Sequence, residues 1–399
     1  MKRVYGADPF VLFDKKSGAY YCYSTSNSES SNQFYLDKSY DLKEWTRLGY
    51  ALDCSKNCWG KDWFWAPECY YNENNGYYYL FYSARVKDEL TEEYFNRKDY
   101  LESAKIGVAV SKSPEGPFVN ISDRPFDFRP YDEEYINIED ELDDYFVQNP
   151  DPEIIKKAKR GQYISMIDAN LYFEDGHIYL FYSRCCYKQC HYDEKLEKFI
   201  EESSIDAVEL DPSFWYDKEA KTMPKPLDKY LHVDENGIRK DRFVKILNYA
   251  NQPQEWENGH VFDHEKTNGE LPNRRWTEGS TTICLTLEGK KTYCMTYSCN
   301  NYLSPLYGIG IAFSDNPLGP YIKYENNPII AEKPAENVYS TGHGSIVRTD
   351  GIIRFFFHYR EDFVSDRSFS FAQLFINNRH NVQVGPIEKC VKKEIVEAK

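Results

Sequence analysis

Apolar and polar positions along this chain fall into a motif that returns five times. Tyr77-Tyr78-Tyr79-Leu80-Phe81-Tyr82-Ser83 comes back one hundred residues later as His177-Ile178-Tyr179-Leu180-Phe181-Tyr182-Ser183. Each run follows a strand-like stretch and a glycine: Glu68-Cys69-Tyr70-Tyr71 then Gly76, and Asn170-Leu171-Tyr172-Phe173 then Gly176. Looser copies run from Phe10 to Ser24 around Gly18, from Thr282 to Ser298 around Gly289, and from Ser345 to His358 around Gly351. Strand, Gly-containing turn, strand is the pattern of a β-hairpin. A second motif follows in two of the units, where Ser111-Lys112-Ser113-Pro114-Glu115-Gly116-Pro117-Phe118 matches Ser314-Asp315-Asn316-Pro317-Leu318-Gly319-Pro320-Tyr321. Both copies come after strand-like runs (Ile106 to Val110, Gly308 to Phe313), so a full unit holds four strands. Five such units predict an all-β fold, a five-bladed β-propeller. The chain reads as one domain over 1–399, with blades starting near residues 7, 65, 166, 276 and 341. Unequal spacing puts insertions chiefly at 84–105, 119–163 and 187–275.

Composition narrows the class. With 41% hydrophobic and 28% charged residues in 399, the chain buries a core and solvates its surface, which excludes a disordered or collagen-like polymer. Aromatic residues make up 17%, and such side chains favour strands and also line carbohydrate sites. The net charge of −15 repels a phosphate backbone and an anionic lipid surface, so neither nucleic acid nor membrane is expected as a partner. No stretch approaches the roughly 18 apolar residues of a membrane helix. Eleven cysteines cannot all pair within one chain, and Met1-Lys2-Arg3 leads at once into Val4-Tyr5-Gly6 without a secretory pattern; a cytoplasmic location is expected. The stretch 131–153 holds ten acidic and no basic residues and reads as a solvated loop or short helix, with a metal site the lesser alternative. Cys185-Cys186 with Cys190-His191 has soft-metal ligand types, but the spacing fits no zinc pattern, so these read as free thiols, as do Cys54 and Cys58. There is no Gly-rich phosphate loop, no His-Glu-x-x-His and no Gly-x-Ser-x-Gly.

In a propeller the innermost strand of each blade lines the axis, so groups at the starts of those strands converge. The five starts read Ala7-Asp8-Pro9-Phe10, Trp65-Ala66-Pro67-Glu68, Ile167-Asp168-Ala169-Asn170, Trp276-Thr277-Glu278-Gly279-Ser280 and Thr341-Gly342-His343-Gly344-Ser345. Four carry a carboxylate and the fifth a histidine, in what reads as one shared register. Carboxylates that share a cavity raise one another's pKa, so one stays protonated while another ionises. That is the requirement for an acid opposite a base, the pair used to hydrolyse a glycosidic bond. Trp65 and Trp276 flank the centre, placed either to stack on a sugar face or to pack between blades.

Ala-Asp-Pro at 7–9, Trp-Ala-Pro-Glu at 65–68, Ile-Asp-Ala at 167–169, Glu-Gly-Ser at 278–280, Gly-His-Gly-Ser at 342–345 and His-Tyr-Arg at 358–360 together resemble glycoside hydrolase family 43. That family comprises arabinanases, α-L-arabinofuranosidases and β-xylosidases on five-bladed propellers. The resemblance runs from Asp8 to about Arg360. It implies that Asp8 is the general base, Glu278 the general acid and Asp168 a third carboxylate that tunes the acid. It also implies that His343 helps hold calcium or a similar cation near the axis, that no cofactor is needed for the chemistry, and that Arg360 contacts substrate or Asp168. Ser280 stands where many members of the family have proline. The function implied is an inverting hydrolase that removes terminal arabinofuranosyl or xylosyl residues from oligosaccharides of plant cell walls. An endo-arabinanase or another propeller glycosidase is the nearer alternative. A non-catalytic sugar- or protein-binding propeller is the more distant one, because a binding module has no reason to keep three mutually repelling carboxylates around one cavity.

Overall fold

The computed structural model describes residues 2–27, 32–137, 159–185, 190–193, 195–268 and 274–393. Five antiparallel sheets of up-and-down strands are arranged as the blades of a propeller. Their inner strands are Ala7–Asp14, Gly60–Tyr71, Met166–Glu174, Thr277–Leu287 and Tyr339–Thr349, and the hairpin partners are Ala19–Thr25, Tyr78–Val86, His177–Arg184, Lys290–Cys299 and Ile352–Arg360. These are the five repeats of the sequence. Gly18, Gly76, Gly176, Gly289 and Gly351 all have positive φ at the hairpin turns, where a side chain would be strained. The aromatic excess goes between blades. Trp45 of the first blade, fully buried, packs edge-on against Phe356 and Phe369 of the fifth at 6.2 and 5.4 Å.

The ring closes between the fifth and first blades through Tyr5 and residues 388–392. Val391–Lys392 adds a parallel strand to Glu44–Tyr50, Glu388–Lys389 pairs with Ser368–Asn378, and Tyr5 bridges to Ser368. The segment 187–275 is not wholly an insertion: it contains Ile205–Leu210 and Val244–Leu247, the third and fourth strands of blade three. The region 84–105 carries the helix Asp88–Phe95, and within 119–163 Tyr131–Asn137 pairs antiparallel with Lys159–Tyr163. The acidic stretch therefore begins as a strand, not a solvated loop. Asp132 is buried and ion-paired with Arg184 at 2.8 Å, because a carboxylate taken out of water needs a cation. Residues 138–153 lie outside the described residues, as do Cys186 and the side chains of Cys190 and His191. Cys54 and Cys58 are free thiols. Among the described residues no helix is long and apolar enough to cross a membrane.

One local device recurs at the start of every inner strand. The register with the hairpin partner slips by one residue between Ala7 and Phe10, Trp65 and Glu68, Ile167 and Asn170, Glu278 and Thr281, and again around His343. Such a bulge places one residue in the left-handed region, and here those are Asp8, Ala66, Asp168, Gly279 and His343, with φ of 51, 46, 57, 59 and 35°. Asp and His tolerate this region better than most residues, and glycine tolerates it best. The bulge frees the backbone N–H from its own ladder, and each one donates across to the preceding blade. Ala66 N–H donates to Thr25 Oγ1 at 2.8 Å, Asp168 to Ser83 Oγ at 2.9 Å, Gly279 to Ser183 Oγ at 3.0 Å, His343 to Ser298 Oγ at 2.8 Å, and Asp8 to His358 Nδ1 at 3.1 Å. The result is a closed ring of five interblade hydrogen bonds around the axis.

The bulges also correct the register read from sequence. Asp8, Asp168 and His343 occupy the left-handed position, Glu278 sits one residue before it, and Glu68 two residues after it. Glu68 accordingly falls one layer further along the axis. There it accepts hydrogen bonds from Tyr70 Oη and from Asn170 Nδ2, and burial pushes its carboxyl up to about 8.

Candidate active site

A cavity of about 660 Å³ opens over the bulges, and Asp8, Asp168, Glu278, His343, Trp65 and Arg360 all line it. Six of the seven residues expected from sequence thus meet in one place. The seventh, Trp276, does not line the cavity. It is buried at 4% exposure, and its indole N–H donates to Glu278 Oε2, so it holds a carboxylate instead of stacking on a sugar.

Asp8 is fixed at both oxygens. Thr25 Oγ1 donates to Oδ2 at 2.7 Å, while Oδ1 faces His358 Nδ1 at 3.2 Å, His343 Nδ1 at 3.5 Å and Arg367 Nη1 at 3.5 Å. Burial alone would raise its pKa, but His343 and Arg367 hold the carboxyl well below the usual carboxylate range. Asp168 moves the other way. Burial, aided by the charge on Asp8, raises it to about 7 against hydrogen bonds from Ser183 and from Gly279 N–H at 3.3 Å. Glu278 accepts from Tyr307 Oη at 2.6 Å and from Trp276, yet burial and the charge of Asp168 push it up to about 7. The cavity thus holds one ionised carboxylate, Asp8, and two carboxyls, Asp168 and Glu278, each raised to about 7. Asp168 and Glu278 interact, so they titrate as a pair.

The arginine that reaches a carboxylate of this trio is Arg367, not Arg360. Arg360 lines the cavity, but its guanidinium donates to the Ser365 carbonyl; Arg367 lies over the Tyr302 ring at 4.6 Å and faces Asp8. Nothing in the repeats marked Arg367, which sits in the loop after the second strand of blade five. Trp63, Tyr307 and His358 were also missed as site residues. Trp63 stacks on Trp65 at 4.8 Å and 11°, capped by the Arg85 guanidinium at 4.5 Å, forming an aromatic wall of the cavity. Tyr307 bonds Glu278 and stacks on His358 at 5.7 Å and 20°. It fits only because residue 342 is glycine: a Cβ there would lie 1.8 Å from Tyr307 Cε1. Burial keeps the His358 imidazole neutral, with its pKa down to about 4.

His343, where a cation is expected, lines the cavity. His343 Nδ1 points between Asp8 and Asp168, at 3.5 and 3.9 Å, and among the described residues no three His, Cys, Asp or Glu side chains are arranged to hold a metal ion.

An ionised carboxylate sharing a cavity with carboxyls raised toward neutral pH is the equipment that hydrolysis of a glycosidic bond uses. The chain belongs to glycosyl hydrolases family 43, whose sequence profile matches residues 2–125 and 192–378. Among solved structures it is similar to a thermostable family-43 glycoside hydrolase, with 26% identity, 96% of this chain and 94% of that one covered, and a TM-score of 0.63. An endo-1,4-beta-xylanase from Bacteroides thetaiotaomicron VPI-5482 (23% identity, 98% of each chain, TM-score 0.60) shares the fold. So does an alpha-L-arabinofuranosidase from Lactobacillus brevis (13% identity, 100% of this chain and 97% of that one, TM-score 0.56). A search of curated proteins returned no match.

Proposed function

We propose that this hydrolase removes terminal arabinofuranosyl or xylosyl residues from oligosaccharides of plant cell walls, with inversion at the anomeric carbon. The observation that carries the reading is the split between Asp8 and Glu278. Asp8 is held ionised by His343 and Arg367, and Glu278 is raised to about 7 by burial and by Asp168. Asp8 takes a proton from a water as that water attacks the anomeric carbon. Glu278 gives its proton to the glycosidic oxygen as the C–O bond breaks, so the leaving sugar departs as a neutral alcohol. The charge of Asp168 opposes ionisation of Glu278 and keeps the acid loaded. Trp65, backed by Trp63, offers an aromatic face to a sugar ring, and Arg360 offers donors to its hydroxyls.

The names of similar structures, an arabinofuranosidase, a xylan beta-1,4-xylosidase and an endo-arabinase among them, support pentose substrates. Activity on nitrophenyl α-L-arabinofuranoside or nitrophenyl β-D-xyloside, with debranched arabinan left uncut, is the expected result. Release of internal fragments from debranched arabinan with no action on either glycoside would replace this reading with an endo-arabinanase.

A further inference from the structure

Four of the five interblade hydrogen bonds around the axis end on a hydroxyl, at Thr25, Ser83, Ser183 and Ser298. The fifth ends on an imidazole, and it is the one that holds Asp8. We propose that His358 is a positioning residue for the reaction, its Nδ1 anchoring the backbone N–H of Asp8 so that the carboxylate is held where it meets the water. This rests on the reading of Asp8 as the base and goes beyond it by naming what places that base.

The pairing register makes the comparison strict. Thr25 stands opposite Ala7, Ser83 opposite Trp65, Ser183 opposite Ile167, Ser298 opposite Glu278 and His358 opposite Gly342. All five are therefore the same position of the blade, and all accept the N–H of the left-handed residue in the next blade. Two of the hydroxyls also serve the acid of their own blade: Thr25 donates to Asp8, and Ser183 to Asp168. Asp8 is thus gripped from two blades, by its side chain from the first and by its backbone from the fifth. His358 is fully buried and its ring is packed against Tyr307, so the acceptor has little freedom to follow a displaced partner.

An imidazole Nδ1 stands one bond further from Cβ than a serine oxygen, so the fifth junction is spanned by a longer arm. Serine, although it serves three of the other four junctions, falls short here. Asparagine, whose Oδ1 superposes on Nδ1, spans the gap. Phenylalanine keeps the ring against Tyr307 and loses the acceptor, leaving a buried N–H unpaired.

The test compares His358→Asn, His358→Phe and His358→Ser with wild type and Asp8→Ala. Folding is checked by circular dichroism and melting temperature, and kcat and KM are measured on whichever nitrophenyl glycoside the wild type hydrolyses. Misplacement of a catalytic group by about 1 Å costs on the order of 10²-fold. His358→Phe and His358→Ser are expected to lose about that much kcat, with KM changed by less than about threefold, because a displaced base leaves substrate binding intact. His358→Asn should stay within about tenfold of wild type. Should His358→Phe not fold, the contrast between asparagine and serine carries the test. Equal activity of all three variants with wild type, or a fall in asparagine as deep as in phenylalanine or serine, overturns the proposal. An active Asp8→Ala overturns instead the assignment of the base; an inactive Asp8→Ala beside a fully active His358→Phe overturns the anchoring alone.

Discussion

Replacing Tyr307 with phenylalanine deletes one oxygen and leaves the ring on His358 in place. That oxygen donates to Glu278 Oε1 at 2.6 Å, and Tyr307 is 1% exposed, so no solvent stands ready to replace it. A hydrogen bond to a carboxylate stabilises the ionised form, so its loss raises the pKa of the acid above the present value of about 7. Hydrogen bonds to charged groups contribute about 1.5–3 kcal/mol, and 1.36 kcal/mol corresponds to about one pKa unit. The neutral acid keeps part of that bond and Trp276 still holds Oε2, so a rise of about one unit is expected. With a higher pKa the acid stays protonated further into alkali, and the basic limb of the kcat/KM profile moves up by about that unit, while the acidic limb stays put. The assay is kcat/KM on a natural disaccharide, whose basic leaving group needs the acid's proton, from roughly pH 5 to pH 9. A basic limb that does not move, or moves down, would refute the idea that Glu278 is the acid and that Tyr307 bonds its ionised form.

Asp168→Asn should move the same limb the other way: removing the charge that opposes ionisation lowers the pKa of Glu278, so the acid loses its proton earlier. A limb that rises instead would show that Asp168 acts on something other than the acid. Glu278→Ala should cripple hydrolysis of a natural disaccharide yet spare much of the activity on a nitrophenyl glycoside, whose leaving group needs little protonation; Asp8→Ala should abolish both. The opposite pattern would swap acid and base. Gly342→Ala should lower the melting temperature and the activity together, because its Cβ would lie 1.8 Å from Tyr307 Cε1 and overpacking of this kind costs about 1–3 kcal/mol. An unchanged melting temperature would mean that Tyr307 has room to move.

The blades were legible because each hairpin repeats both its aromatic strand and its glycine turn, two signals that agree. The outer strands of blade three were not: long connections separate Ile205–Leu210 and Val244–Leu247 from their hairpin, and short apolar runs inside polar sequence look like an insertion. The convergence of Asp8, Asp168, Glu278 and His343 was legible from the position of inner strands in a propeller. Their common register was not, because the left-handed bulge residue leaves no mark in the composition; Glu68 stands two residues beyond Ala66, the counterpart of Asp168, and so lies in a different layer. Trp276 next to Glu278 gave no sign of whether its ring or its N–H would be used. The ring of interblade bonds had left a trace in the closing serine of the repeat, at Ser83, Ser183 and Ser298, with His358 as the departure from it. Arg367 left none, since only the fold of the 361–367 loop brings it to Asp8.

The stereochemistry of the first product tests the central claim most directly. If Asp8 acts on a water and Glu278 on the leaving oxygen, proton NMR of the wild-type reaction in its first minutes shows the released sugar with its anomeric configuration inverted, before mutarotation mixes the two forms. First-formed sugar of retained configuration would mean that a carboxylate attacks the anomeric carbon itself, and would contradict the account.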